Sequence, residues 1–386
     1  MTQALNLANL ANSVNSSGQL AGSAVNGAVA SATNATNATN LTGGTCTIGT
    51  TQLGAGNASI MKNRIINGAM VIDQKNSGAS VTITNTSNTT YTLDRWGAYG
   101  SQASKFSVQQ NAGSATPPVG YSKYLGVTSL SAYSVLTADY FNLLQYIEGY
   151  NIADLGWGTA NVKTVTLSFQ VYSSLTGTFG GSLSNASNYS YPFTYTISSA
   201  NTWTTISVTI AGPTSGTWAT DNSRGIQLSF GLGSGATGYA GTAGSWSANY
   251  YLTATGTVSV VGTNGATFYI TGVQLEVGSS ATGFEYVNYQ TSLANCQRYY
   301  EVLVYDTNGQ AAMSAPFSTV SDSRFQWLFK VQKRANPSYS VVSGSWGGNT
   351  PSAYFSVSHI QFVTNGTYFF LTGSGGSTAI GASAEL

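Results

Sequence analysis

Charge is what this chain lacks most. Of its 386 residues only 6% are Asp, Glu, Lys or Arg, against roughly 25% in ordinary soluble domains. The formal net charge is +1, so there is no electrostatic footprint for nucleic acid or for an acidic membrane. Histidine occurs once, at His359, and cysteine twice, at Cys46 and Cys296. That excludes a disulfide framework and a His/Cys metal cluster. It also confines Ser-His-Asp or Cys-His chemistry to a single histidine. No run approaches the roughly 20 apolar residues of a membrane helix. The segment Met1-Thr-Gln-Ala-Leu-Asn-Leu-Ala-Asn-Leu10 has neither a basic region nor a continuous apolar core, so it does not read as a signal peptide.

In place of charge stand Asn, Ser, Thr, 45 Gly, 24 Tyr and 7 Trp. Neutral hydrogen-bonding groups keep such a surface in water, and Tyr and Trp suit pleated, half-buried strands. From Ile65 onward the pattern is strand, turn, strand. Candidate strands are Val165–Val171, Ile206–Ile210, Ile226–Phe230, Val258–Val260 and Phe268–Ile270, separated by breaks such as Ala211-Gly-Pro-Thr-Ser-Gly216. Phe268, Ile270, Val273, Leu275 and Val277 alternate with one slip at Gly272, which reads as a strand with a β-bulge. Ala138–Glu148 is compatible with a helix, but a strand or single turn fits better. Beyond Leu293, Tyr300–Tyr305, the alternating Phe325, Trp327, Phe329 and Val331, then Ile360–Phe362 and Tyr368–Phe370 are further strands. Such spacing predicts an all-β protein, a β-sandwich or barrel followed by a smaller sandwich.

Residues 1–60 are different. No charged side chain precedes Lys62, and Leu7, Leu10, Ala11 and Val14 have the spacing of a short amphipathic helix. A tripeptide repeat follows, with Asn34, Asn37 and Asn40. Nothing here builds a core within one chain. Extended, the segment would reach on the order of 200 Å. It reads either as a disordered linker or as an arm that orders against sister chains or a larger particle. The Asn-x-Thr matches to the glycosylation pattern are accidental without a secretory signal.

Several segments together resemble bacteriophage tail-fibre and related virion fibre proteins. Gln3-Ala-Leu-Asn-Leu-Ala-Asn-Leu-Ala-Asn-Ser-Val-Asn-Ser-Ser-Gly-Gln-Leu20 looks like their N-terminal arm, and the Asn-Ala-Thr tripeptides look like the low-complexity stretch that often follows. Asn63-Arg-Ile-Ile-Asn-Gly-Ala-Met-Val-Ile-Asp-Gln74 and Tyr91-Thr-Leu-Asp-Arg-Trp96 resemble the start of their jelly-roll domain. Phe268-Tyr-Ile-Thr-Gly-Val-Gln-Leu-Glu276 with Phe284-Glu285 looks like its exit strand. Cys296-Gln-Arg-Tyr-Tyr300 and Lys333-Arg-Ala-Asn-Pro337 resemble the C-terminal domain. The resemblance implies an N-terminal virion-attachment arm at 1–60, a jelly-roll β-sandwich at 61–292, similar in architecture to carbohydrate-binding modules, and a small β domain at 293–386. It implies a homotrimer in the virion, contacts with other tail or capsid proteins through residues 1–60, and host attachment through a cell-surface glycan, with no enzymatic activity. The alternatives are a capsid-decorating head fibre and a polysaccharide depolymerase.

The binding chemistry the sequence offers is aromatic. Trp157, Trp203, Trp218, Trp246, Tyr250 and Tyr251 lie in or beside Gly-rich loops. A flat ring beside amides and hydroxyls suits a sugar, although most of these rings are expected in the core or in subunit seams. Glycoside cleavage needs two carboxylates about 5–9.5 Å apart. Asp73 and Asp94 both fall in the segments that resemble the jelly-roll entry, where the fold could bring them together, and the simpler reading pairs Asp94 with Arg95 or Arg64. Glu276 reads as a wet-face strand residue, His359 as a strand-face histidine and Cys296 as a buried thiol. Lys330, Lys333 and Arg334 read as a solvated strand end. By resemblance to jelly-roll carbohydrate modules, Asp139, Glu148 and Asp154 could hold a structural calcium; no other cofactor is expected.

Overall fold

The structure, a computed structural model, describes residues 61–236, 238–305, 323–348, 350–364, 369–372 and 378–386. Expectations for the arm, its helix and repeat, Cys46 and Tyr368 fall outside these residues. By its contacts the chain divides after Lys62, and Asn63–Leu386 form one compact unit.

The fold is all-β. Its strands in chain order are β1 (Val81–Thr82), β2 (Thr90–Leu93), β3 (Trp96–Gly100), β4 (Phe106–Gln110), β5 (Leu125–Ser129), β6 (Tyr140–Glu148), β7 (Val165–Ser173), β8 (Gly177–Ser184), β9 (Ser190–Ile197), β10 (Thr204–Ile210), β11 (Arg224–Ser234), β12 (Ala240–Gly241), β13 (Thr253–Ala254) and β14 (Thr267–Val277). Two six-stranded antiparallel sheets result, ordered β1-β4-β5-β14-β7-β10 and β2-β3-β6-β11-β8-β9. Period-2 alternation sends one face of each sheet into a shared core. Val165, Leu167, Phe169 and Val171 of β7 meet Ile226, Leu228, Phe230 and Leu232 of β11 there. Ring pairs bridge the sheets, with Phe169 and Phe230 at 5.0 Å and Phe106 and Phe141 at 6.3 Å between centroids. Ala138–Glu148 resolves as strand β6. The expected strand at Val258–Val260 does not form. Val258 N donates to Thr178 O of β8 while Val260 N donates to Leu232 O of β11, so its amides serve two strands and no ladder can run.

The leading motif and the exit strand turn out to be one assembly. At the bulge, Gly272 has φ 61° and the pairing of β14 with β7 slips between Thr271 and Gln274. A bulge leaves backbone groups without ladder partners. Here Val273 N donates to Gly68 O, and Arg64 N donates to Leu275 O at 2.9 Å. Asn63 accepts from Leu275 N at 3.1 Å and donates to Val273 O at 3.1 Å. Gly68 is required because a Cβ there would collide with the Val273 carbonyl oxygen. Gln145 of β6 holds both polar backbone atoms of Ile66 at 2.9 Å, and the Trp96 indole donates to Asn67 O at 3.1 Å.

After the sandwich come helix α1 (Tyr289–Gln297) and strands β15 (Tyr300–Tyr305), β16 (Ser323–Leu328), β17 (Ser338–Ser343), β18 (Ser345–Gly348), β19 (Ser352–Phe355), β20 (His359–Thr364), β21 (Phe369–Thr372) and β22 (Thr378–Ser383). Sheets β15-β22-β17 and β16-β20-β19 share a small core of Trp327, Ile360, Phe362, Ile380 and Ala382. Helix α1 was not foreseen and lies across the expected boundary at 292–293. Its signal was Asn288, whose side chain accepts from Thr291 N as an N-cap should.

A charged seam joins this region to the sandwich. The Arg95 guanidinium pairs with Glu385 and donates to Tyr146 O, and it lies 3.6 Å from the centre of the Tyr299 ring. Lys75 sits 3.5 Å from Glu385 and 3.5 Å from the Tyr300 ring centre. Glu148 accepts from Arg298 at 2.9 and 2.5 Å and from the Tyr299 hydroxyl at 2.6 Å. Arg334 donates to Ala384 O, Glu385 O and Asn222 O.

Candidate functional site

The six sequence-selected aromatics fall into three places. Trp157, Trp218 and Trp246 pack edge to face, 4.7 to 5.5 Å apart, and Trp246 stacks on Tyr189 at 5.7 Å. Trp157 and Trp218 are only 6% and 9% exposed. Their N–H groups donate to Lys163 O and Ser215 O, which leaves these two rings to packing; Trp246 is half-buried. Trp203, also half-buried, lies 5.6 Å from Tyr124 and 5.4 Å from Tyr172 on the outer face of the first sheet. Tyr250 and Tyr251 belong to the third place, the outer face of the second sheet.

That third face is the most developed polar surface of the sandwich. On β6, Phe141, Leu143 and Ile147 point into the core, so Tyr140, Asn142, Leu144 and Tyr146 take the other side. Gln227, Ser229 and Gly231 of β11 alternate in the same way. Register places Tyr99 beside Asn142 and Asn142 beside Gly231. It also sets Tyr146 beside Gln227 and Gln227 beside Ser184. Residues 239–257 cross this face. The Tyr250 hydroxyl is 2.9 Å from that of Tyr99 and donates to Gln227 Oε1 at 2.9 Å. Gln227 Nε2 donates to Ser229 at 2.8 Å, and Ser190 donates to Asn249 O at 2.6 Å. The Tyr140 ring lies 5.3 Å from Tyr99 and 4.4 Å from Tyr239. Gly180 and Gly231 are small because Thr253 stands over them. Arg224 is the cation at its edge, 5.1 Å from the Tyr146 ring and 3.2 Å from Gln227 Oε1. In the floor, Asn142 Oδ1, Ser182 Oγ and Ser184 Oγ are buried without a protein partner. Burial raises the Tyr99 and Tyr250 hydroxyls above the usual phenol value, so both stay neutral hydrogen-bonding groups. Asn142, Ser182, Ser184, Gln227 and Ser229 are buried beneath the crossing segment, so what a polyhydroxylated ligand could reach is the half-buried rim of Tyr99, Tyr140, Tyr239, Tyr250 and Tyr251. Sequence reasoning missed Tyr99, Tyr140, Asn142 and Gln227. The available signal was the opposite parity of Tyr140 and Asn142 to Phe141 and Leu143, hidden while β6 was ambiguous with a helix.

The titratable candidates are committed to the fold. Asp94 does not pair with Arg95 or Arg64. It accepts from Gln74 N at 2.6 Å and Gln74 Nε2 at 2.7 Å, because Arg95 turns to Glu385, and Arg64 to Asp154 at 2.8 Å. Burial pushes the Asp94 carboxyl up to about 7. Asp73 accepts from Asn76 N and Gly78 N, closing a loop rather than facing Asp94 as a catalytic partner. Glu276 is not on a wet face. It is 2% exposed, because Thr282 folds over it and donates from its backbone N and hydroxyl. Asp139 accepts from Ser101, Tyr133 and Leu136 N, Glu148 from Arg298 and Tyr299, and Asp154 from Arg64. The three serve separate networks, and no cluster of three metal-ligating side chains occurs among the described residues. Cys296 is buried in α1, where desolvation drives its thiol well above the ordinary value. His359 opens β20, its Nδ1 3.0 Å from Ser358 Oγ. The basic cluster is not a solvated strand end. Lys333 is buried and bonds Glu301 at 2.7 Å, Arg334 is held in the seam, and Lys330 alone is exposed.

No family model matches the chain, and no curated protein matches its sequence. Among solved structures it is similar to a tailspike protein 4 domain of bacteriophage CBA120, at 11% identity and TM-score 0.28, over 56% of this chain but only 21% of that one. It is similar to a CBM4 structure at 16% identity and TM-score 0.28, covering 55% of this chain and 98% of that one. A family 11 carbohydrate-binding module of a Clostridium thermocellum cellulosomal cellulase gives 13% identity and TM-score 0.28, over 53% and 98% of the two chains. Likeness this distant carries no functional inference, and the reading below rests on the residues of the chain itself.

Proposed function

We propose that this chain is a bacteriophage virion fibre protein, a tail fibre that attaches to the host by binding cell-surface polysaccharide. The observation that carries the binding half is the row of half-buried tyrosines, Tyr99, Tyr140, Tyr239, Tyr250 and Tyr251, along the outer side of the second sheet, with neutral hydroxyls and ring area and no carboxylate among them. Half-buried Tyr250 and Tyr251 belong to this surface, and half-buried Trp203 and Trp246 are separate contact points elsewhere on the sandwich. A sugar offers hydroxyls to amides and C–H faces to rings, and needs no ionic partner. The fibre half rests on the sequence resemblance. In it residues 1–60 dock on the virion, 61–292 and 293–386 form the two β domains, and three copies present weak contacts together so that effective concentration supplies avidity.

Purified full-length protein is expected to bind host cells and their isolated polysaccharide, with a trimer mass in solution. No binding to either would remove the adhesion reading, and a stable monomer would remove the trimer. Imaging of whole particles separates a tail position from a capsid-decorating one. A depolymerase would instead release new reducing ends from host polysaccharide.

A further inference from the structure

In the sandwich every strand glutamine is engaged. Gln109 donates to Gly78 O, Gln110 to Met70 O, Gln145 to Ile66 O, Gln170 to Thr205, Gln227 to Ser229 and Gln274 to Glu276. The C-terminal sheet β16-β20-β19 departs from this rule. Trp327, Ile360 and Phe362 face the small core with Phe325 and Ala353, so Gln326, Gln361 and Tyr354 take the outer side. Register aligns these three directly, since Gln326 lies opposite Gln361 and Gln361 opposite Tyr354. Tyr354 is 61% exposed and Leu328, opposite His359 in the next row, is 68% exposed. None of the three aligned side chains has a hydrogen-bond partner among the described residues. With neighbouring strands about 4.8 Å apart, the row spans about 10 Å and presents two carboxamides, a phenol and, beside them, an aliphatic surface.

Resting on the polysaccharide reading above, we propose that this outer face is a second saccharide-contact surface, taking hydroxyl-rich sugar rings on the row Gln326, Gln361 and Tyr354. Each carboxamide offers a donor and an acceptor to vicinal hydroxyls, and the Tyr354 ring with Leu328 offers apolar area to a sugar's C–H face. The complementarity is that of uncharged groups: the row itself holds no ionised side chain. A polysaccharide bearing acidic groups belongs in the test beside a neutral one, to separate uncharged from ionic recognition.

The test is titration of the full-length protein with host polysaccharide, a neutral glucan and a uronic-acid polymer. It compares wild type with Tyr354→Ala, Gln326→Ala/Gln361→Ala and the isosteric Gln361→Glu. The sites are on the surface, so thermal unfolding should not move. Affinity for the bound polymer is expected to fall about tenfold or more in the double variant, the equivalent of about 1.4 kcal/mol. Wild type that binds while all three variants bind equally well would overturn this second surface and leave the sandwich face standing. Tyr251→Ala reports on that face separately. Wild type that binds none of the polymers would overturn the polysaccharide reading itself, and this surface with it.

Discussion

The sandwich core is dry and the seam is largely buried, with Arg298 reaching partly to solvent, and the two are made from opposite materials. The core is Trp96, Phe141, Phe169, Phe230 and Phe268 with aliphatic neighbours and no ion. The seam gathers Lys75, Asp94, Arg95, Glu148, Arg298, Arg334 and Glu385 in a chain that is 6% charged. Dispersion and apolar burial are non-directional, so the core holds two sheets together without fixing much beyond volume. Ion pairs and bidentate hydrogen bonds are directional. The seam therefore sets how the C-terminal sheets are oriented on the sandwich, while its burial makes each partner dependent on the other.

Breaking the comparison begins with the core. Trp96→Ala should cost about 3–5 kcal/mol, because it opens a large cavity and removes one of the two hydrogen bonds to Asn67 O. Denaturant unfolding would show it, and a loss under about 1 kcal/mol would contradict the packing described. Next, Glu385→Ala should cost about 3–5 kcal/mol by leaving Arg95 buried without its anion. Arg95→Met with Glu385→Leu should recover most of that loss. Single and double variants in one thermodynamic cycle check this, and additive losses would show that the pair is not coupled. Glu385→Ala should also split one calorimetric transition into two if the seam is what couples the regions.

Smaller effects sharpen the contrast. Gly68→Ala should cost about 1–3 kcal/mol through the clash with the Val273 carbonyl, although it touches neither an apolar side chain nor a charge; equal stability would disprove that close approach. The remaining test is pH. The folded Asp94 carboxyl titrates near 7, above the ordinary value of 3.8. A raised carboxyl value means that the fold favours the protonated form. Its contribution is thus complete below about pH 4 and is lost as pH rises through 7. Wild type should melt progressively lower from pH 4 to 8, and Asp94→Asn should flatten that slope whatever its absolute stability. Identical slopes would refute the assignment.

Much of the fold was legible because alternation is local. The parity of Val165 to Val171, the slip at Gly272 and the strand Tyr300–Tyr305 can each be read within ten residues, and each has its place in the structure. What failed was longer in range. Val258–Val260 has strand residues, but its amides are drawn to two different strands. Glu276 has the parity of a wet residue, but a loop arriving from Thr282 covers it. Asp94 was assigned to its neighbour Arg95, while Arg95 finds Glu385 290 positions away. For the candidate site, the aromatic residue types were legible but their exposure was not.

The sequence by itself determined an all-β chain with a neutral, tyrosine-rich surface and with turns where glycine permits them, since those properties follow from side-chain period and composition. Only the tertiary structure decided which rings are dry, which amides remain unengaged and which cation meets which carboxylate. Burial and pairing depend on segments hundreds of residues apart arriving at the same point, and no local pattern encodes that meeting.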